Sequence, residues 1–330
     1  MTVLVTGGAG YIGSVTARAI EARGEHVIVL DNFSTGHRQI EGLLPGVDFI
    51  EGDYSDRDIL QNIFSKKRAI DAVIHFAGMT LVGESMDRPS DYVRMNFVGT
   101  LTLLEEMAAR NVHHFIFSSS AATFGVAEQV PIDEKHPQRP INPYGWSKKA
   151  VEDLLPYLKG VGGPAYIGLR YFNAAGAARD GLLGEVHRPE THLIPNILNA
   201  ALTGSAFHIF GTDYPTDDGT CERDYIHIED LAEAHVLALY ALRRGHDSGF
   251  YNLGNGQRAS ILRVLETARC VTGLSISVIE SIRRPGDPPI LVASSDRIKH
   301  DLNWKPQRED LAVIIEDAWR FLREHPDGYR

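Results

Sequence analysis

The chain has 330 residues, which at about 150 residues per domain allows two domains, or one large domain with an added lobe. Hydrophobic residues make up 43% and charged residues 23%, a globular composition that excludes a disordered chain. With 33 basic and 43 acidic residues the net charge is −10. That balance argues against non-specific nucleic-acid binding and leaves anionic ligands to local arginine pockets.

Val3–Thr6 is a short β-branched run that stops at Gly7, Gly8 and Gly10. Residues 12–23 have helical composition up to Gly24, and His26–Leu30 is a second buried strand closed by Asp31 and Asn32. Further strands are predicted at Val47–Ile50, Ala72–His75, His114–Ser118 and Tyr166–Arg170, with helices near 56–67, 90–110 and 143–159 between them. Continuous apolar strands alternating with helices predict an α/β fold, a doubly wound parallel sheet covered on both faces. After about residue 175 glycine and proline become frequent, strands become short, and helices are predicted near 192–203, 229–244, 260–273 and 308–324. The reading is a first domain over 1–175 and a smaller α/β lobe over 176–330, interleaved with the end of the sheet across a soft boundary.

Cys221 and Cys270 cannot build a disulfide framework, and without CxxC or HExxH spacing no metal site is expected. No apolar run is long enough to cross a bilayer, and the chain opens in a strand rather than a charged segment before an apolar stretch. A soluble cytoplasmic protein with reduced thiols is expected.

Gly7, Gly10 and Gly13 lie between the first strand and the first helix. This GxxGxxG spacing is a variant of the dinucleotide fingerprint, in which glycines let a pyrophosphate approach the unpaired N–H groups of a helix N-terminus. Asp31 ends the second strand, where a carboxylate accepts from ribose hydroxyls and repels a 2′-phosphate. NAD is therefore the expected cofactor and the first domain a Rossmann-type one, although Arg38 stands close by. Asp53, after the third strand, falls where the adenine edge would be held. Phe76, Ala77 and Gly78, after the fourth, would pass beside the cofactor with little bulk.

Tyr144 and Lys148 are spaced i, i+4 at the start of a predicted helix, which puts both on one face. An ammonium group near the phenol, together with a positive nicotinamide ring, is expected to lower the phenol pKa from near 10 and make Tyr144 a base. Ser120, at the carboxyl edge of the fifth strand, could bond the same substrate oxygen.

The glycine start, the strand-end serine and the YxxxK pair resemble the extended short-chain dehydrogenase/reductases. Val5–Gly13, His75–Gly78, Val82–Ser85, Leu169–Asn173 and Arg223–His227 narrow the resemblance to the UDP-glucose 4-epimerase group, and Leu302-Asn303-Trp304 carries it almost to the end of the chain. The resemblance implies a redox cycle that inverts C4 of UDP-glucose or UDP-galactose through a transient 4-keto sugar, with Tyr144 as base, Ser120 guiding the proton and Lys148 also bonding the nicotinamide ribose. It adds Tyr11, Ile12, Asn32, Ser34 and Tyr54 to the cofactor contacts, with Asn96, Ser118, Tyr171 and Phe172 further along. Among substrate contacts it implies Asn173, Arg223 and Arg284 on the diphosphate, with guanidinium forks suited to phosphate. Asp287 would hold the uridine ribose, Ile209 and Phe210 the uracil, and His192 and Leu193 the nucleotide site. A homodimer through the helices near 90–110 and 143–159 is expected on the same ground.

Departures from the group pattern are Phe124 for a frequent tyrosine, Thr80 for an occasional lysine and Met95 for an occasional asparagine, with Asn96 kept. Leu291 stands where a large tyrosine confines other members to UDP-glucose, and so would admit an N-acetylated sugar. A UDP-pentose or UDP-uronate 4-epimerase would use the same trio. A 4,6-dehydratase would need carboxylates where Ala121 and Ala122 follow Ser120, and a non-catalytic cofactor-sensing protein would typically lack Tyr144 or Lys148.

Overall fold

The computed structural model describes residues 1–65, 69–284 and 288–329. The first half alternates β1 (Thr2–Thr6), α1 (Tyr11–Glu21), β2 (His26–Asp31), α2 (Gln39–Leu43), β3 (Val47–Glu51), α3 (Arg57–Phe64) and β4 (Ala72–His75). The helix predicted over 56–67 reaches Phe64, and its last two predicted positions lie outside the described residues. There follow α4 (Val82–Asp87), α5 (Pro89–Tyr92), a π-helical stretch (Val93–Gly99), α6 (Thr100–Ala109), β5 (His114–Ser120), α7 (Pro143–Gly160) and β6 (Ala165–Tyr171).

The second half adds β7 (Asn173–Ala175), α8 (Leu193–Thr203), β8 (Phe207–Phe210), β9 (Glu222–Arg223), β10 (Tyr225–His227), α9 (Ile228–Arg243) and β11 (Gly249–Leu253). It closes with β12 (Ala259–Ser260), α10 (Ile261–Thr272), β13 (Val278–Ser281), β14 (Ile290–Leu291), α11 (Asp296–Asp301) and α12 (Leu311–Glu324).

The central sheet has seven strands in the order β11-β6-β5-β4-β1-β2-β3, and every neighbouring pair is parallel. The chain winds outward one way from β1 and the other way from β4, so the gap between their carboxyl ends is the crevice where such sheets bind ligands. β1 is buried at every residue, which suits a central strand with helices on both faces. β11 was not among the predicted strands. It comes from the second half of the chain and pairs with β6, while α9 packs across α1, β5 and β6. The chain thus returns to the sheet after residue 176.

Two other departures bear on the site. β5 continues to Ser120 instead of stopping at Ser118, with Ser120 registered opposite Tyr171 of β6. The helix predicted over 90–110 is interrupted by the π-helical Val93–Gly99, which turns the buried Asn96 toward the Met79 loop.

The smaller lobe combines the β7–β10 pair, the β8–β13 pair and the three-stranded β12-β9-β14 sheet with α8, α10 and α12. Its apolar core includes Ile194, Ile197, Leu198, Ile209, Val264 and Ile314. Among the described residues no helix is long and apolar enough to cross a membrane.

Candidate active site

The glycine turn has the shape a pyrophosphate needs. Gly7 has φ +73°, and a Cβ there would lie 2.6 Å from the Ala77 nitrogen; at Gly13 it would lie 2.2 Å from the Gly7 carbonyl oxygen. The fold itself requires both glycines. At Gly10 a Cβ would meet only the Gly7 oxygen, at 3.4 Å, so the protein leaves this position open. Gly10 is the N-cap of α1, which has neither a side-chain cap nor an acidic residue in its first turn. Those uncapped N–H groups fit an anion, and the residues present fit a dinucleotide.

Asp31 is buried, and its carboxylate accepts from the backbone N–H of Ala9 (2.9 Å) and of Phe33 (2.8 Å). Burial raises its pKa while these two bonds pull it down. The carboxylate thus ties the glycine turn to the loop after β2, with lone pairs remaining for ribose hydroxyls. Arg38 pairs with Glu51 and lies over the Phe33 ring. Asn32 donates to Asp53 (3.0 Å) and accepts from the Ser34 backbone (3.0 Å), so these three residues form one rim. Tyr11 donates to the Gly176 carbonyl (2.7 Å), bridging the glycine turn to the start of the smaller lobe, and Ile12 packs on the central core.

Two predicted contacts turn inward. Tyr54 is buried and donates to the Met95 carbonyl (2.6 Å), stacking edge-on against His75. Asn96 accepts from the Met79 N–H (2.8 Å) and donates to the Met79 carbonyl (2.9 Å) and to Ser147 Oγ (3.0 Å). Its amide is spent on fixing the loop after β4, where Phe76, Ala77 and the positive-φ Gly78 run, with the Phe76 ring 4.7 Å from that of His235.

The candidate catalytic groups converge at the carboxyl end of β5. Asn142 caps α7 by accepting from the Gly145 N–H (2.8 Å), with Pro143 at the first helical position. Gly145 is needed because a Cβ there would lie 2.3 Å from the Ala122 carbonyl oxygen. This close approach seats Tyr144, 7% exposed, beside Ser120, 9% exposed, whose hydroxyl is near enough to favour the phenolate. Lys148, 3% exposed, lies one turn on; its Nζ donates to the Ser118 carbonyl (2.9 Å) and sits 5.0 Å from the centre of the Phe117 ring. Ser118 Oγ shares a 2.5 Å bond with the Tyr171 hydroxyl, and Phe172 follows it half-buried.

Within the protein alone, burial raises the Tyr144 pKa and the Ser120 hydroxyl pulls it back; the lowering expected from the sequence also involves the nicotinamide ring. Burial likewise brings Lys148 down to about 8, against a raising influence from Glu152.

Beneath this group lies a charged support that sequence reading missed. Glu152 receives three hydrogen bonds from Arg170 (2.9 Å from Nε to Oε1, 3.1 Å from Nε to Oε2 and 2.7 Å from Nη2 to Oε2), one from Ser119 (2.5 Å) and one from Gln138 (2.7 Å). Phe124 and Phe250 flank the Arg170 guanidinium at 5.3 and 4.9 Å. Phe124 is fully buried, so its stacking is done inside the protein.

Across the crevice, Asn173 donates its side-chain amide to the Asp224 carbonyl (2.8 Å). Asp224, unremarked in the sequence, is fully buried and accepts from the N–H groups of Asn255 (2.8 Å), Gly256 (3.0 Å) and Ala293 (3.0 Å); burial pushes its pKa up to about 6. It fixes the backbone beside Arg223, and β14 then places Leu291 in register with Arg223. Arg284 lies 4.1 Å over the Phe210 ring, while Ile209 is packed into the lobe's core, leaving Phe210 the outward member of that pair. Asp287 lies outside the described residues. Leu193 opens α8 and packs on the lobe core, whereas His192 turns its ring to Glu185, 2.7 Å away. His113 is exposed, and His114 is half-buried on the Asp71 carbonyl.

The family profile described as "NAD dependent epimerase/dehydratase family" matches residues 3–254. The chain is 48% identical over 330 residues to the UDP-glucose 4-epimerase of Halalkalibacterium halodurans, with 100% of this chain and 98% of that protein covered. It is similar to the crystal structure of UDP-glucose 4-epimerase from Brucella ovis in complex with NAD, with a TM-score of 0.92, 44% identity, and 97% and 98% of the two chains covered. It is also similar to the Bifidobacterium longum UDP-glucose 4-epimerase in complex with NAD+ and UDP, at a TM-score of 0.92 and 34% identity, covering 99% and 100%.

Proposed function

The chain belongs to the NAD dependent epimerase/dehydratase family, and we propose that Tyr144, Ser120 and Lys148 carry out its reaction, inversion of C4 in UDP-glucose and UDP-galactose. The observation that carries this reading is the burial of Tyr144 beside Ser120, with Lys148 one helical turn on and moored to the Ser118 carbonyl, at the carboxyl end of β5 and opposite the lobe that carries Arg223 and Arg284. The cofactor is NAD, held between the open Gly10 turn and Asp31, and when bound it supplies the acceptor and donor of the C4 hydride. Tyr144 Oη takes the proton of the C4 hydroxyl as the 4-keto sugar forms. It returns that proton to the same oxygen after the hexose has turned over, so one phenol serves both half-reactions. Ser120 Oγ is placed to bond the substrate oxygen and the phenol together. Lys148, moored to Ser118, keeps a positive charge one helical turn from the phenol.

Arg223, Arg284 and Asn173 would grip the diphosphate while the hexose stays free to turn, and Phe210 would face the uracil. The half-buried Leu291 beside Arg223 leaves the sugar pocket open to an N-acetyl group, which extends the substrate range to UDP-N-acetylhexosamines. A homodimer would form through α4–α7, where Met86, Val98, Trp146 and Tyr157 are exposed apolar side chains.

Proton NMR of the purified protein with UDP-galactose and no added NAD tests the reading. Growth of the gluco anomeric signal is expected; silence even after NAD is supplied overturns it in favour of another UDP-sugar.

A further inference from the structure

We propose that the strap from Glu185 to His192, which leads into α8, binds one divalent transition-metal ion of the zinc class through Glu185, His187, Glu190 and His192. The segment bends at Arg188-Pro189, and the pairs Glu185/His187 and Glu190/His192 on either side of the bend meet, with one ligand atom from each lying within 4.8 Å of the others. Glu185 Oε1 is 2.7 Å from His192 Nδ1 and 3.2 Å from His187 Nδ1. Glu190 Oε1 is 3.2 Å from His192 Nδ1, and its Oε2 is 3.7 Å from His187 Nδ1. Metal–ligand bonds of about 2.0–2.2 Å imply tetrahedral edges of roughly 3.4 Å. The four separations straddle that value, so the donors lie at the spacing from which an ion could gather them.

The His187 nitrogen is a second, independent sign. His187 Nδ1 is buried, points into the cluster and makes no well-aligned hydrogen bond despite its closeness to Glu185. The carboxylates are held in place: Glu190 Oε1 accepts from the backbone N–H groups of Thr191 and His192, both at 2.8 Å. Such outer contacts are what orient metal ligands. The Glu185 and Glu190 side chains are only 7% and 13% exposed, while His192 at 50% leaves a path in from solvent. A cavity of about 210 Å³ adjoins the cluster.

The donor set selects the ion. Two imidazoles with two carboxylates suit zinc and its neighbours, whereas magnesium and calcium take oxygen ligands alone. Four protein ligands fill a tetrahedron and leave no position for a reacting group, so the site is structural. Its consequence is local: the His37 ring bonds the Val186 carbonyl (2.9 Å), and Leu193 begins α8, so an ion here would clamp the strap between the loop after β2 and the smaller lobe.

The test uses tag-free full-length protein, stripped by a chelator and returned to zinc or cobalt(II). Wild type is expected to retain one zinc per chain after gel filtration, to show the visible absorption of tetrahedral cobalt(II), and to unfold at higher temperature with zinc than with chelator. His187→Asn and Glu190→Gln are expected to bind zinc at least about tenfold more weakly and to lose the thermal response. Absence of retained zinc and of the cobalt band in wild type overturns the proposal and leaves an imidazole–carboxylate ion-pair cluster. Equal zinc content in wild type and both variants overturns it as well, by placing the metal elsewhere.

Discussion

Lys148 Nζ donates a 2.9 Å hydrogen bond to the carbonyl oxygen of Ser118, so the helix that carries Tyr144 is tied directly to the strand that carries Ser120. That bond is made in a dry setting, and burial brings the ammonium down to about 8. The folded state therefore holds fewer protons at Lys148 than the unfolded chain between about pH 8 and the ordinary lysine value. Stability from this group rises with pH across that window and is lacking below it. Lys148→Met removes the dependence. The variant is expected to be more stable than wild type near pH 7, by an amount on the order of 2 kcal/mol, and the gap should close by about pH 10.5. Urea unfolding at several pH values measures this, and a gap that does not change with pH would contradict it. Turnover should fall in the same variant.

Tyr144→Phe keeps the ring and its packing against Tyr92 but removes the group that moves the proton. Turnover should drop by about 10²–10⁴-fold with NAD retention unchanged, read by UDP-galactose conversion and by cofactor content. Ser120→Ala should leave a measurable rate. Because the Ser120 hydroxyl is what pulls the phenol pKa down against burial, its loss should move the acidic limb of kcat/KM to higher pH. A limb that stays in place would remove Ser120 from the proton path.

The nucleotide-binding half is legible in the sequence because local pattern and tertiary role coincide there. Val3–Val5 is apolar and occupies a central strand covered on both faces; Gly13 is glycine because backbone presses on it. Legibility fails where tertiary contacts decide. β11 opens on Gly249 and contains Asn252, whose amide is fully buried on the Ile132 carbonyl, so a core strand is written with turn-like residues. The π-helical turn in the predicted 90–110 helix accompanies the contacts of Asn96 with Met79 and Ser147, partners distant in sequence. Glu185, His187, Glu190 and His192 escape a search for paired-histidine helix motifs because a bend at Arg188-Pro189, not a helical repeat, brings them together. Asp224 carries no sign of its importance: the three N–H groups it holds are contributed by chain dozens of residues away.

Asn96 offers a separate test of how the loop after β4 is held. Asn96→Leu removes three hydrogen bonds and leaves the Met79 N–H and carbonyl without those partners. A loss of about 2–3 kcal/mol in stability is expected, with faster NAD release because Phe76–Gly78 is no longer braced. Denaturant unfolding and cofactor washout read the two effects. Full stability in the variant would show that water or the backbone replaces the amide.

Leu291→Tyr tests the sugar pocket without touching the reacting groups. If the space beside Arg223 admits an N-acetyl group, the larger ring should lower turnover of UDP-N-acetylgalactosamine by at least about tenfold while leaving UDP-galactose within about threefold, since one pocket contact is worth roughly 1–3 kcal/mol. Equal losses on both substrates would mean that position 291 does not discriminate between them.

Gly10 and Gly13 separate what the fold needs from what the ligand needs. A Cβ at Gly13 would sit 2.2 Å from the Gly7 carbonyl oxygen and 2.8 Å from the Gly8 Cα, both backbone atoms that cannot move aside without opening the turn between β1 and α1. Gly13→Ala is therefore expected to be strongly destabilised and to accumulate unfolded. Gly10 has φ −87° and ψ 175°, an extended conformation open to any residue, and its Cβ would meet only one atom, at 3.4 Å. Gly10→Ala should fold with stability within about 0.5 kcal/mol of wild type when both are stripped of cofactor. Its added methyl group would stand where the pyrophosphate comes against the α1 N-terminus, so NAD affinity should fall at least tenfold, by roughly 1.4 kcal/mol. Cofactor titration followed by tyrosine and tryptophan fluorescence would show it. Undiminished affinity would place the pyrophosphate away from Gly10, and with it the alignment of the nicotinamide end toward Tyr144.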